Sequence, residues 1–127
     1  MYSKELDAYR TSQKKQEMTG REIEAAALTR CAHLLADCQR HWNASDSKTA
    51  LDEALQFNQK VWTILQSELV KDDNPLPLEI RRNILTLSVF IDNRIIQIMA
   101  DPRPEKLQII IDINLNLAAG LRGSPAD

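Results

Sequence analysis

Two cysteines and two histidines, Cys31, His33, Cys38 and His41, form the densest group of reactive side chains in the sequence. Thiolate and imidazole are the ligands that zinc favours. Spacing argues against that use. On a helix, Cys38 and His41 are three residues apart and share a face, while His33 points well away from Cys31. Tetrahedral zinc needs four ligands that converge from separate segments or a turn. The two thiols are seven residues apart, a rise of ~10 Å along a helix and too far for a disulfide. The reading is two reduced core thiols beside surface or interfacial histidines, which fits the cytoplasm.

Other catalytic chemistry lacks its parts. No nucleophile sits with a plausible base in a strained turn, and no glycine-rich loop could cradle a phosphate. The paired carboxylates Asp72-Asp73 and Glu22/Glu24 fall in exposed, flexible or capping positions, where they are ordinary ionised surface groups. A binding protein without cofactor or metal is expected, not an enzyme.

The informative polar residues are instead Asn58 and Asn114. Each interrupts an apolar stripe, Asn58 between Leu55 and Trp62, Asn114 between Ile110 and Leu117. A buried amide without partners costs on the order of 1–3 kcal/mol. The pair can therefore lock to each other or to loop carbonyls and fix helix register, or it can line a groove and hold a partner's backbone. Arg81, one turn after Pro77, lies near the apolar edge and could hold Asp73, Asn74 or a partner carboxylate.

These residues need helices to position them. A sparse first segment, about 3–17, offers Leu6, Ala8 and Tyr9 and reads as a short or frayed helix over 1–18. Thr19-Gly20-Arg21-Glu22 is a capping box, and Ile23, Ala27, Cys31, Leu34, Cys38 and Trp42 recur behind it at helical spacing. A third helix, about 48–70, follows a cap at Ser45 or Ser47, with Leu51, Ala54, Leu55, Val61, Trp62, Leu65 and Leu69 as its apolar face. Asn74-Pro75-Leu76-Pro77 stops it, and Pro77 suits the first position of the next helix.

That fourth helix, about 77–100, is apolar on more than one face. Ile80, Ile84, Leu87, Ile91, Ile95 and Ile98 line one face, with Leu85, Val89, Ile96 and Met99 beside it. So wide an arc marks either the central helix of a bundle or one that contacts a partner. The stretch 105–119 alternates like a strand at Ile111 to Leu117, but its helical stripe, its Pro104 start and a cap at Gly120 favour a helix. Residues 122–127 read as a tail. The fold class is all-α, a single domain of four to five helices over 1–127.

Composition agrees and narrows the partners. With 43% hydrophobic and 27% charged residues in 127, the chain can bury one core and is not a disordered segment. Its net charge is −2, with seven basic and seven acidic side chains in residues 1–46, so the charges do not separate. That lacks the basic footprint of a phosphate binder, which disfavours direct nucleic-acid contact and an anionic membrane surface. The polar N-terminus lacks signal-peptide character, and no apolar run approaches the ~20 residues of a membrane span.

The order of features from Asn58 onward is more specific than a generic helical protein. Asn58-Gln59-Lys60-Val61-Trp62 precedes Asn74-Pro75-Leu76-Pro77, then Arg81, the apolar helix, Ile113-Asn114 and finally Ala119-Gly120-Leu121. Tyr9 and Arg21-Glu22-Ile23-Glu24 complete the pattern at the other end. Together these resemble the flagellar biosynthesis regulator FlaF family over nearly the whole chain. Leu115 stands after Asn114 where that pattern leads one to expect a basic residue, and the cysteine–histidine cluster is no feature of it.

The resemblance implies a cytoplasmic factor for flagellin production and export that works alongside a second regulator, FlbT. It implies flagellin as partner, because flagellin's amphipathic terminal helices are unpaired before assembly and need cover. Two further readings stand beside this chaperone. One is a post-transcriptional regulator acting on flagellin mRNA, directly or through a complex containing FlbT. The other is an oligomer whose extra apolar surface is a subunit interface. Residues expected at the partner surface are Asn58, Trp62, Leu65, Asn74, Leu76, Pro77, Arg81, Phe90, Ile91, Ile95 and Asn114.

Overall fold

The computed structural model describes the backbone of residues 2–123 and the side chains of residues 20–123. Four helices follow one another: α1 (Tyr2–Arg40), α2 (Ser47–Leu69), α3 (Leu78–Ala100) and α4 (Gln108–Leu121). A 3₁₀ turn, Pro104–Leu107, leads directly into α4. No strand occurs among the described residues, so the alternating run Ile111 to Leu117 is helical. Its period-2 pattern has no neighbouring strand to pair with, and burial of Ile110, Ile111, Asn114, Ala118 and Leu121 imposes the helical period instead.

The expected start at Thr19 is not one: α1 runs through it without a break. Gly20 inside a helix costs only ~1 kcal/mol relative to alanine, too little by itself to end one. The expected docking of Leu6 and Tyr9 concerns side chains outside the described residues. The six-residue connection 41–46 turns the chain back, and α2 begins after Asp46 without a side-chain cap, so neither Ser45 nor Ser47 serves as one. Pro77, with ψ 145°, is still extended and precedes α3 rather than opening it. Gly120 lies within α4, and the terminating glycine is Gly123, whose φ of 62° is the left-handed conformation that ends helices.

α1, α2 and α4 enclose the core. α1 lies antiparallel to both. Its Gln39 donates to the Pro104 carbonyl at 3.0 Å, and its Thr29, ten residues earlier, accepts from Arg122 at 3.2 Å. Ala25 and Ala32 occupy that same edge of α1, and Ala118 is the small buried residue of α4; these allow the two helices to pack closely. Leu28, Leu35, Leu55, Trp62, Leu65, Leu69, Leu107 and Ile110 fill the space between.

α3 is the departure from expectation. It is not central. It packs on α2 and the 3₁₀ turn and buries one narrow row, Ile84, Ser88, Ile91, Ile95 and Ile98. The other apolar side chains of α3 remain largely at the surface.

Candidate partner-binding surface

The polar residues singled out by sequence meet inside the bundle, not at its surface. Asn58 and Trp62 are one turn apart on α2, and Asn114 faces them from α4. An indole N–H can only donate, so Asn114 turns its oxygen to Trp62, at 2.8 Å. Its amide nitrogen then faces Asn58 and donates to Oδ1 at 2.8 Å. That leaves Asn58 Nδ2 buried without an acceptor. The chain of donors runs Trp62 to Asn114 to Asn58 and stops there. This is the locking reading of the two asparagines.

The connector between α2 and α3 is held the same way. Asn74 donates to the Glu68 carbonyl at 3.0 Å and accepts from the Leu76 N–H at 3.0 Å. Arg81 donates to the carbonyls of Leu76 at 3.1 Å, Lys71 at 3.1 Å and Leu69 at 3.5 Å. It therefore holds neither Asp73 nor the Asn74 side chain. The reason is local: the carbonyl of Leu69, the last residue of α2, lacks a backbone donor and sits at the negative end of the helix dipole, while the Lys71 carbonyl, which also accepts from the Asn74 N–H, and that of Leu76 belong to the connector.

Of the residues expected to touch a partner, Asn58, Trp62, Leu65, Ile91, Ile95 and Asn114 are buried. Their spacing marks them as apolar-stripe positions, and packing turned those stripes inward. Asn74, Leu76 and Arg81 are half-buried and fix the connector, with Pro77 exposed beside them. Phe90 alone of the apolar anchors on α3 is exposed, at 40%.

Phe90 belongs to a small surface. Ile80 and Leu87 share its flank of α3, both exposed. Arg94, one turn on, carries its guanidinium 5.6 Å from the Phe90 ring centroid, within cation–π range. Its Nε is buried and has no hydrogen-bond partner. The sequence pattern puts Ile80 and Leu87 in one row with Ile84, Ile91, Ile95 and Ile98 and does not single out Arg94, whereas the structure exposes the first two beside Phe90. The signal available was the i, i+7, i+14 spacing of Ile80, Leu87 and Arg94, one step around the helix from Ile84, Ile91 and Ile98.

The cysteine–histidine cluster does not converge. Cys31 and Cys38 are free and buried, whereas His33 and His41 are exposed. Burial pushes the Cys31 thiol up from its ordinary 9.0 to about 12, and raises that of Cys38 as well. No group of three potential metal-ligating side chains occurs among the described residues. Along the open side of the α1–α2 contact runs a groove of about 170 Å³, lined by Ile23, Ala27, Val61 and Ile64, with Glu24 and Glu68 at its edge. Burial first, and the charge of Glu68 second, hold the Glu24 carboxyl above its usual range.

No helix among the described residues is long and apolar enough to cross a membrane. Neither the curated proteins nor the solved structures contain a match to the chain. A family model does match, described as flagellar protein FlaF, over residues 5–121. Asn58, Trp62, the Asn74–Pro77 connector, Arg81 and Asn114 all lie within that span, and the chain belongs to the FlaF family of flagellar proteins.

Proposed function

We propose that this protein is a non-enzymatic binding factor that covers unassembled flagellin in the cytoplasm and so supports flagellin synthesis and secretion. Family membership supplies the flagellar context. The observation that carries the reading is the exposed Ile80–Leu87–Phe90 flank on a helix that packs along only one edge. An amphipathic helix docks on such a surface by placing apolar side chains at successive turns. Phe90 is a suitable central anchor, because large aromatic side chains dominate the energy of interfaces. The Arg94 guanidinium beside it adds a positive charge that suits a carboxylate on the incoming helix.

Size-exclusion chromatography of the protein mixed with purified flagellin tests this. Co-elution at micromolar concentration is expected, and L87E or F90E should abolish it while leaving the helical circular dichroism intact. Failure of the wild-type pair to co-elute overturns direct chaperoning. A gel-shift with the flagellin mRNA leader that persists at raised salt, without flagellin binding, would transfer the assignment to RNA. Addition of FlbT to both assays shows whether it joins either complex.

A further inference from the structure

We infer that α3 carries a self-complementary seam on which a second copy of this chain docks antiparallel. The seam lies on the flank of α3 away from Phe90 and consists of Leu78, Arg82, Leu85, Val89, Asp92 and Ile96. The spacing alternates four and three residues, the repeat of a coiled-coil face. Leu78, Val89 and Ile96 are exposed at 52%, 59% and 65%, while Leu85 between them is half-buried with its inner side against the core, so the bundle leaves most of this row uncovered. Large apolar side chains in one row at that exposure mark an interaction surface.

The order of residue types identifies the occupant. Read from either end, the seam is apolar, charged, apolar, apolar, charged, apolar, and its two charges are of opposite sign. In an antiparallel pair centred midway between Leu85 and Val89, Leu78 meets Ile96 of the second copy. Leu85 meets its Val89, and Arg82 meets its Asp92. Two-fold symmetry makes each contact twice. A parallel pair would instead place Arg82 against Arg82 and Asp92 against Asp92, which like-charge repulsion disfavours. Within the chain, Arg82 and Asp92 are in none of the ion pairs among the described residues.

The surroundings fit an interface. Asp52, Gln56 and Gln59 of α2 face Met99 across a shallow cleft and give the seam a polar rim on that side. The Ile80–Leu87–Phe90 flank stays open in both copies, so the dimer stands or falls independently of flagellin binding. A seam of six residues per copy is small for a stable dimer, and dissociation in the range of about 1–100 μM is expected.

Sedimentation velocity over that concentration range, with charge-reversed variants, tests the seam. The wild type should shift from monomer to dimer. R82D and D92R should each remain monomeric, because each variant sets like charges opposite one another. An equimolar mixture of R82D and D92R should dimerise again, since both charged contacts are attractive in the mixed pair. V89E should be monomeric alone and in every mixture. A wild type that stays monomeric to about 100 μM overturns the inference. So does self-association of R82D or D92R at the wild-type strength, or a mixture that fails to associate.

Discussion

The indole of Trp62 donates its N–H to the side-chain oxygen of Asn114 at 2.8 Å, and together with the Asn114–Asn58 bond this ties α4 to α2 in register. Both residues are buried, so water cannot replace the bond if it is lost. N114L should cost about 3 kcal/mol, because it leaves the Trp62 N–H and the Asn58 oxygen without partners at once. N58L should cost less, about 1 kcal/mol, since the Asn58 nitrogen is already unpartnered. Urea denaturation of both single variants and the double variant measures this. Equal costs, or strict additivity, would contradict the order of the chain.

Arg81 holds the connector through carbonyls, not carboxylates. R81A should therefore cost about 1–2 kcal/mol, and R81K should recover only part of it, because an ammonium lacks the guanidinium fork. Amide exchange should quicken in the last turn of α2 while the core of α1 stays protected. Uniform loss of protection would show instead that Arg81 acts on the whole bundle.

Two glycines near the C-terminal end should respond in opposite directions. A Cβ at Gly120 meets nothing within 4 Å, and the residue is helical, so G120A should stabilise by about 0.5–1 kcal/mol. Gly123 has φ 62°, so G123A should destabilise by about 1 kcal/mol. Paired thermal melts decide between this assignment and one in which Gly120 ends the helix.

The buried thiols set an alkaline limit. Cys31 is held protonated by burial, with a pKa raised from 9.0 to about 12. An acid group with a raised pKa stabilises the fold fully below its unfolded value, and that contribution is lost as pH rises towards the folded one. Stability should therefore fall between about pH 9 and pH 12. C31S and C38S variants should flatten the fall. Iodoacetamide at pH 8 should label the thiols in urea far faster than in the native protein.

Surface substitutions on α3 should separate binding from folding. Phe90 and Leu87 are partly exposed and outside the core cluster, so F90S and L87S should each shift stability by less than about 1 kcal/mol. By contrast I91S, at a fully buried position, should cost about 3 kcal/mol. Chemical denaturation of the three variants checks the contrast.

Much of the fold was legible because helical periodicity and chain breakers are local. The rows through Leu51, Leu55, Trp62, Leu65 and Leu69, and through Ile84, Ile91 and Ile98, are buried where the spacing places them. Asn74-Pro75-Leu76-Pro77 ends one helix and precedes the next, as the geometry of proline requires. The pairing of Asn58 with Asn114 was also open to sequence reasoning, since two amides inside apolar stripes need partners. The start expected at Thr19 is absent from the structure because the residues of a capping box are also compatible with the interior of a helix.

The sequence by itself determined the all-helical class, the buried row of α2 and membership of a flagellar family. Tertiary structure alone decided what the surplus apolar surface of α3 does within the chain. α1 packs closely on both α2 and α4, these three helices already enclose one core, and α3 lies outside them against α2 and the 3₁₀ turn. One row of α3 is then buried and two flanks remain exposed, a division that amphipathic spacing cannot make because all three rows are apolar. Trp62 and Phe90 show the same limit from opposite sides. Both are aromatic residues at helical spacing, yet the neighbour across the helix, not the residue type, buries one and exposes the other.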